Sequence, residues 1–349
     1  MKTKRFFIGA VAIVAACLLG LLLLVVLVDP LFAVNGVEDG ETALFTNQRY
    51  EMPGLIRNQD YSVVVMGTSL VANFRASWFE EGLGKDALKI TFPDGWISEF
   101  DRALELAYDT HPALEQVFFC LDPNILVRPD SQRTVTLPDC LYNTTLLDDA
   151  EFYLNADAVI LAGESLVAYA KGEDTDLDSA YIWDNTAVFS EEQALFSYHR
   201  PEVSVSALPE DAFRAACDEN LAVIARWIED HPETQFTIWF PPYSILYWDK
   251  MAREGKTDAM FWAVEYAARR LLEYENVNVH CFMTATLQIT DLKDYTDHIH
   301  CSAEVTRWMA EEMLAGRWRF NKENYQLRLD ELRDFVANYD YERLFADEG

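Results

Sequence analysis

Two short segments carry side chains that could do chemistry together. Val63-Val64-Val65-Met66-Gly67-Thr68-Ser69 is an apolar run that ends in a small-residue turn and a serine. Asp297-His298-Ile299-His300 is followed by Cys301-Ser302-Ala303-Glu304 and an amphipathic helical pattern. A serine, an imidazole and a carboxylate to orient it are the minimum set for acyl transfer through a serine ester. Asp297 and His300 are three residues apart, and in a turn that spacing puts both side chains on one side. The carboxylate can then accept from one imidazole nitrogen while the other takes a proton from serine. His298 lies between them and should point elsewhere. Each segment also has a plainer reading: Ser69 as a helix N-cap, and the Asp-His segment as a solvated acidic turn.

The serine and the histidine lie far apart in sequence, so folded elements must bring them together. Tyr61–Met66 reads as a buried strand, Leu70–Glu81 as a helix, Ala87–Phe92 as a strand and Ile97–Tyr108 as a helix. Gln116–Leu121 is a third strand. Phe213–Asp230 has Leu221, Ile224, Trp227 and Ile228 at helical spacing. Phe236–Phe240 is a fourth strand, stopped by Pro241-Pro242, and Ala259–Tyr274 is a helix. Val277–Phe282 is a fifth strand and Ala303–Leu314 the closing helix. Such alternation implies a parallel sheet covered on both faces. Ser69 then falls at the sheet's carboxyl edge and at a helix N-terminus, where free N–H groups favour negative charge. The Asp-His segment follows the fifth strand, at the same edge.

Residues 125–210 break this rhythm with Pro129, Pro138, an acidic run at Glu173–Asp178 and several aromatics. They read as an insertion over the carboxyl edge, helical around Asp148–Ala170. Residues 29–60 read as an irregular lead, with turn signals at Asp29-Pro30, Asn35-Gly36, Asp39-Gly40 and Pro53-Gly54. Residues 321–349 form a charged tail with helical spacing over Asn321–Phe345.

Phe6–Val28 is 23 residues without charge or proline, and about 20 suffice to span a bilayer. Lys2, Lys4 and Arg5 lie on one side and Asp29 on the other, so residues 1–5 should stay in the cytoplasm and the remainder outside. A cleaved signal peptide is the rival, but its apolar region is normally about 7–15 residues. Val14-Ala15-Ala16-Cys17 faintly resembles a lipoprotein box, yet the apolar run continues past it.

Beyond the span the chain carries 25 basic and 58 acidic residues, a net of -33. That surface repels phosphate backbones, which excludes nucleic acid as a partner and argues against charge-driven docking on anionic lipid. Cys120, Cys140, Cys217, Cys281 and Cys301 form no C-x-x-C pair, so zinc and thioredoxin-type sites are not expected. His280 ends a strand with no ligand cluster beside it.

With these pieces in place, the chain resembles the SGNH/GDSL-type hydrolases over about residues 60–315. Gly67-Thr68-Ser69 matches the family's Gly-x-Ser block, Phe92-Pro93-Asp94-Gly95 its second block and Asp297-His298-Ile299-His300 its Asp-x-x-His block. The resemblance is nearest to a bacterial branch with a single N-terminal span. Asn47-Gln48-Arg49-Tyr50, Leu137-Pro138, Leu141-Tyr142 and Pro241-Pro242-Tyr243-Ser244 also look like that branch.

The resemblance implies a flavodoxin-like, doubly wound α/β domain over residues 61–320. It implies Ser69, His300 and Asp297 as the catalytic set, and the N–H groups of Ser69 and Gly95 as oxyanion donors. The third block departs from the family. Its asparagine position falls on Asp122, in Cys120-Leu121-Asp122-Pro123-Asn124. A carboxylate cannot donate to an oxyanion. Asn124 is the substitute, with Asn73 a weaker one, and Asp122 reads equally as a cap.

Tyr243 and Trp248, after the fourth strand, are candidates for a sugar platform, and His199 and Arg200 for an anion contact; packing and a solvated loop are the plainer readings. The expected activity is acyl-ester hydrolysis or O-acyl transfer on an envelope polysaccharide or teichoic-acid-like molecule. No metal or organic cofactor is implied, and a multi-span membrane acyltransferase is a plausible partner. Two rivals are a non-catalytic scaffold of an envelope complex and a phosphodiester- or sulfate-directed enzyme.

Overall fold

The computed structural model describes residues 2–37, 40–145, 147–153 and 155–346. Asp39, of the turn read at Asp39-Gly40, and residues 347–349 of the tail lie outside them. In chain order the elements are α1 (Lys2–Val28), β1 (Thr42–Ala43), α2 (Gln48–Asn58), β2 (Val63–Gly67), α3 (Ser69–Ala72), α4 (Ala76–Leu83), β3 (Ala87–Thr91) and α5 (Ile97–Thr110). Then come β4 (Gln116–Cys120), α6 (Pro123–Val127), α7 (Ala150–Tyr153), α8 (Ala156–Lys171), β5 (Thr175–Asp176), α9 (Glu191–Ser197), α10 (Arg214–Asp230) and β6 (Gln235–Phe240). The chain ends with α11 (Ile245–Arg253), α12 (Thr257–Leu271), β7 (Val277–Cys281), α13 (Thr286–Thr290), α14 (Ala303–Leu314), β8 (Arg319–Phe320) and α15 (Tyr325–Ala337). They fall into two compact units.

The first unit comprises the N-terminal segment through Asp60 together with Arg102–Pro112 and Leu137–Tyr181. Its α1 is long and apolar enough to cross a membrane. The end of α1 is fastened: Asp29 accepts from the N–H groups of Ala33, Val34 and Asn35 and from the Tyr153 hydroxyl. Val25, Ala33, Tyr153, Ala158 and Ala162 form a small core there. The lead is less irregular than its turn signals suggest. Asn47 caps α2 through the Arg49 N–H, and buried Glu51 reaches back to the N–H groups of Thr46 and Asn47. Burial of Met52, Leu55 and Ile56 outweighs the backbone bond lost at Pro53. Leu137–Tyr181 of the expected insertion clusters with these segments, not with the sheet. Its helical part is α7 and α8.

The second unit comprises Tyr61–Asp101, Ala113–Thr136 and the chain from Ile182 onward. It is mixed α/β around a six-stranded sheet of order β3-β2-β4-β6-β7-β8. All pairs are parallel except β7–β8. β2 is buried at every residue, as the run Val63-Val64-Val65-Met66 requires of a strand covered on both faces. Strand addition reverses direction at β2, since β3 lies on one side and β4 on the other. The register aligns Gly67 with Thr91, Cys120 with Trp239 and Phe240 with Cys281, so the carboxyl ends form one rim. β8 was not foreseen; it is two residues long and pairs with His280 and Val279.

The helix expected over Leu70–Glu81 is broken at Asn73-Phe74-Arg75. Phe74 turns into the core against Trp239 and Phe79. The carbonyls exposed by the break are satisfied by buried Lys89, whose Nζ donates to Ala72 O at 2.8 Å and Phe74 O at 2.7 Å. A helix end without such partners would be costly.

Candidate active site

β2 delivers the serine. A Cβ on Gly67 would lie 2.5 Å from Val71 and 2.7 Å from Cys120, so only glycine lets the chain turn into α3. Thr68, not Ser69, is the N-cap of α3: its Oγ1 accepts from the Leu70 N–H. Ser69 is therefore the first helical residue, and its hydroxyl is not used for capping. Thr68 is held in turn by Thr91 Oγ1, which donates to its carbonyl at 2.9 Å, and by Asp122, to which it donates at 3.1 Å. Neither threonine was singled out from the sequence; Thr68 beside the serine was the available signal.

The loop after α13 delivers the histidine. Asp297 Oδ1 accepts from the N–H groups of Ile299 and His300, both at 2.8 Å. Its Oδ2 meets His300 Nδ1 at 2.7 Å. The Tyr295–Cys301 bridge closes the loop, and Ser302 caps α14 immediately after it. Tyr295 donates to the Pro242 carbonyl, and Ser244 donates to the His298 carbonyl through both N–H and hydroxyl. These bonds tie the loop to the end of β6.

The structure brings the two segments together. Ser69 Oγ and His300 Nε2 are 2.8 Å apart across 231 residues of sequence. Burial would push the Asp297 carboxyl up, but the hydrogen bond and charge of His300 and the two backbone donors outweigh it and hold it at about 2. The carboxylate is thus ionised at neutral pH, which places the proton on Nδ1 and leaves the Nε2 lone pair facing the serine. His298 points away: its ring meets Lys250 and Tyr198, and burial and Lys250 lower it to about 4.

Trp183 joins the site without having been foreseen. Its indole N–H donates to the Ser69 carbonyl at 3.4 Å and its ring lies edge-on to His300, centroids 5.2 Å apart. The Asn73 side-chain oxygen fixes the Trp183 segment by accepting from the N–H groups of Trp183 at 3.1 Å and Asp184 at 3.2 Å. A lone tryptophan within an irregular stretch carries no periodicity that would flag it.

Several expected roles are corrected. Gly95 N–H is engaged by the Phe92 carbonyl at 3.0 Å, closing a turn with Asp94 at φ 50°. It does not point at the serine as a free donor; the glycine is there because a Cβ would lie 2.7 Å from the Phe100 ring. Asp122 is a structural cap, not an open substrate contact. It is 5% exposed, N-caps α6 through the Asn124 N–H at 2.7 Å, and accepts from Thr68 and from the Tyr243 hydroxyl. Burial raises its pKa against the pull of these donors. Asn124 turns its amide to the Tyr243 hydroxyl at 3.1 Å. Asn73 is buried, and its amide nitrogen has no protein partner.

Tyr243 and Trp248 offer no platform for a sugar: they are 0% and 1% exposed, and Trp248 stacks on Phe261. Arg200 is consumed by Asp249 and Glu342 and by the face of Phe345. Exposed His199 faces the Ser197 carbonyl of its own loop.

The Asp122 network makes a stability prediction. Asp122→Ala removes a cap and the acceptor of two buried hydroxyls, and should cost about 3 kcal/mol in urea unfolding. Asp122→Asn keeps one acceptor oxygen and lets Thr68 turn its hydroxyl to accept, and should cost about 1 kcal/mol or less. Equal losses in the two variants would show that shape alone matters there.

No family model matches this chain, and no curated protein does. Among solved structures it is similar to "a putative platelet activating factor from Streptococcus pneumonia", with TM-score 0.40 and 12% identity, over 76% of this chain and 91% of that one. A likeness at that level carries no argument for either fold family or activity.

Proposed function

We propose that the protein is a serine-dependent acyl esterase or O-acyltransferase of the SGNH type. The observation that carries this is the continuous line Ser69 Oγ, His300 Nε2, His300 Nδ1, Asp297 Oδ2, with contacts of 2.8 and 2.7 Å. The order of the parallel strands, with its reversal at β2, supports a flavodoxin-like, doubly wound domain.

Ser69 Oγ attacks the ester carbonyl while His300 takes its proton. Asp297 stabilises the imidazolium, and the Ser69 N–H, at the first turn of α3, faces the developing oxyanion. His300 then returns the proton to the leaving alcohol, and the acyl group stays on Ser69. Water as acceptor makes the protein a hydrolase; a sugar or polyol hydroxyl makes it a transferase. With α1 as a single-pass anchor and the basic end inside, the site works outside the membrane on an envelope polysaccharide or teichoic-acid-like molecule. A multi-span acyltransferase that presents acyl groups there is the partner this placement suits.

A second reading is favoured by the oxyanion side: Gly95 N–H is engaged, and Asp122 stands where the family has an asparagine. On that reading the protein is an inactive scaffold of an envelope complex. A serine-reactive fluorophosphonate decides between them. We expect one adduct, on Ser69, in folded full-length protein. Its absence, with a native circular dichroism spectrum, supports the scaffold.

A further inference from the structure

The helix α8 is unusual for one on a protein of this charge. Ile160, Leu166, Val167 and Tyr169 are 58%, 48%, 52% and 72% exposed. A soluble surface rarely gathers so many large apolar side chains on one short helix. Helical spacing puts Leu166 and Tyr169 on the side of α8 that meets α1, and Ile160 and Val167 across the helix from it. Ala158, Ala162 and Val159 pack on Leu24, Val25, Val26 and Val28 of α1. Small residues there let the two backbones approach closely.

The apolar run of α1 ends at Val28, and Asp29 follows. A run of that length is about as long as the hydrocarbon core is thick. An element packed on Leu24–Val28 therefore lies at the boundary between hydrocarbon and headgroups. At that depth apolar side chains contact acyl chains, tyrosine is favoured, and a lysine extends to the headgroups. α8 has Tyr169 near its end and Lys171 as its last residue. Asp157 and Glu164 are also exposed on α8, as a helix lying at the interface, not within it, permits. A crevice of about 230 Å³ opens beside this contact, lined by Leu27 and Val28 of α1 and by Ser165, Leu166 and Tyr169 of α8.

We propose that α8 is a second membrane contact: an interfacial helix that lies in the lipid at the outer end of α1 and fixes the first unit against the bilayer. The inference rests on α1 being the span. The occupant is lipid because Leu166 and Tyr169 continue the apolar surface of the anchor beside Leu27 and Val28. The attraction is apolar, since the chain beyond the span is strongly acidic and repels anionic lipid.

The test uses full-length protein reconstituted in phosphatidylcholine vesicles that carry nitroxide-labelled phosphatidylcholine. An environment-sensitive fluorophore is placed at Val167→Cys, and at Leu287→Cys as an exposed site of the second unit, with Cys17 and Cys140 changed to serine. Native Cys17, labelled in a chain with Cys140→Ser, reports the span. The remaining cysteines are buried. Lipid nitroxides should quench position 167 at least threefold more than position 287, and 0.5 M KCl should not change that ratio. Ile160→Cys repeats the measurement at a second point on α8, should the first variant misfold. Equal quenching at 167 and 287 overturns the proposal. So does a 167 label open to aqueous iodide, which would leave that face to water or to another protein. Unquenched Cys17 overturns it as well, because α1 would then not be in the bilayer.

Discussion

Replacing Ser69 with alanine should lower kcat for a short-chain aryl ester by about 10⁴-fold or more, and leave the fold intact. The loss is large because no neighbouring group can take over. The Thr68 hydroxyl beside it is occupied as the N-cap of α3 and as a donor to Asp122. The fold should survive because the hydroxyl serves no cap and His300 is 21% exposed, so water replaces it on Nε2. Thermal unfolding followed by circular dichroism should shift by no more than about 0.5 kcal/mol. Activity within tenfold of the parent would end the serine mechanism.

Asp297→Asn should lower kcat by roughly 10³- to 10⁴-fold while Ser69 stays in place. The amide keeps an oxygen for the Ile299 and His300 N–H groups. Its nitrogen, however, donates to Nδ1, which drives the ring proton to Nε2, where it faces the serine and blocks proton uptake. The same substitution has a pH signature. The carboxyl is held at about 2 in the folded chain against a usual 3.8. Its contribution to stability is complete above about pH 4 and fades as pH falls toward 2, an effect on the order of 2 kcal/mol. The parent should therefore be more stable than the variant at pH 6, and the two should converge by about pH 2. A constant gap across that range would show that the carboxylate charge contributes nothing to the loop.

The parts of the molecule legible in the sequence are those set by local pattern. Parallel strands covered on both faces, such as Val63–Gly67 and Gln235–Phe240, are largely apolar runs, the second interrupted only by Thr237 after its opening Gln235, and they end at a turn residue or proline. The Asp-x-x-His spacing needs one tight loop, and a loop is a local object. What escaped depends on contacts between distant residues. The break after Ala72 is stabilised by Lys89, which in its own strand looks like a stray charge. The occupied N–H of Gly95 follows from a turn whose Asp94 is left-handed, where a Pro-Asp-Gly segment allows several turn types. Trp183 reaches His300 from a stretch with no repeat at all. The grouping of Leu137–Tyr181 with the N-terminal helices follows from Arg57 pairing with Asp149 and Tyr181 donating to Glu51. No spacing rule predicts either pair.

The loop from Asp294 to Ser302 carries the acid and the base on one closed turn, while the hydroxyl stands on a separate element, the first residue of α3. Acid and base are thus a prefabricated cartridge, and alignment with the nucleophile is a separate, adjustable degree of freedom. Mild perturbation should silence such a protein by drawing the cartridge back a fraction of an ångström, long before the turn itself comes apart. Tightening the two fastenings at Pro242 and Ser244 is accordingly where an engineer would gain tolerance to heat without touching a reacting atom.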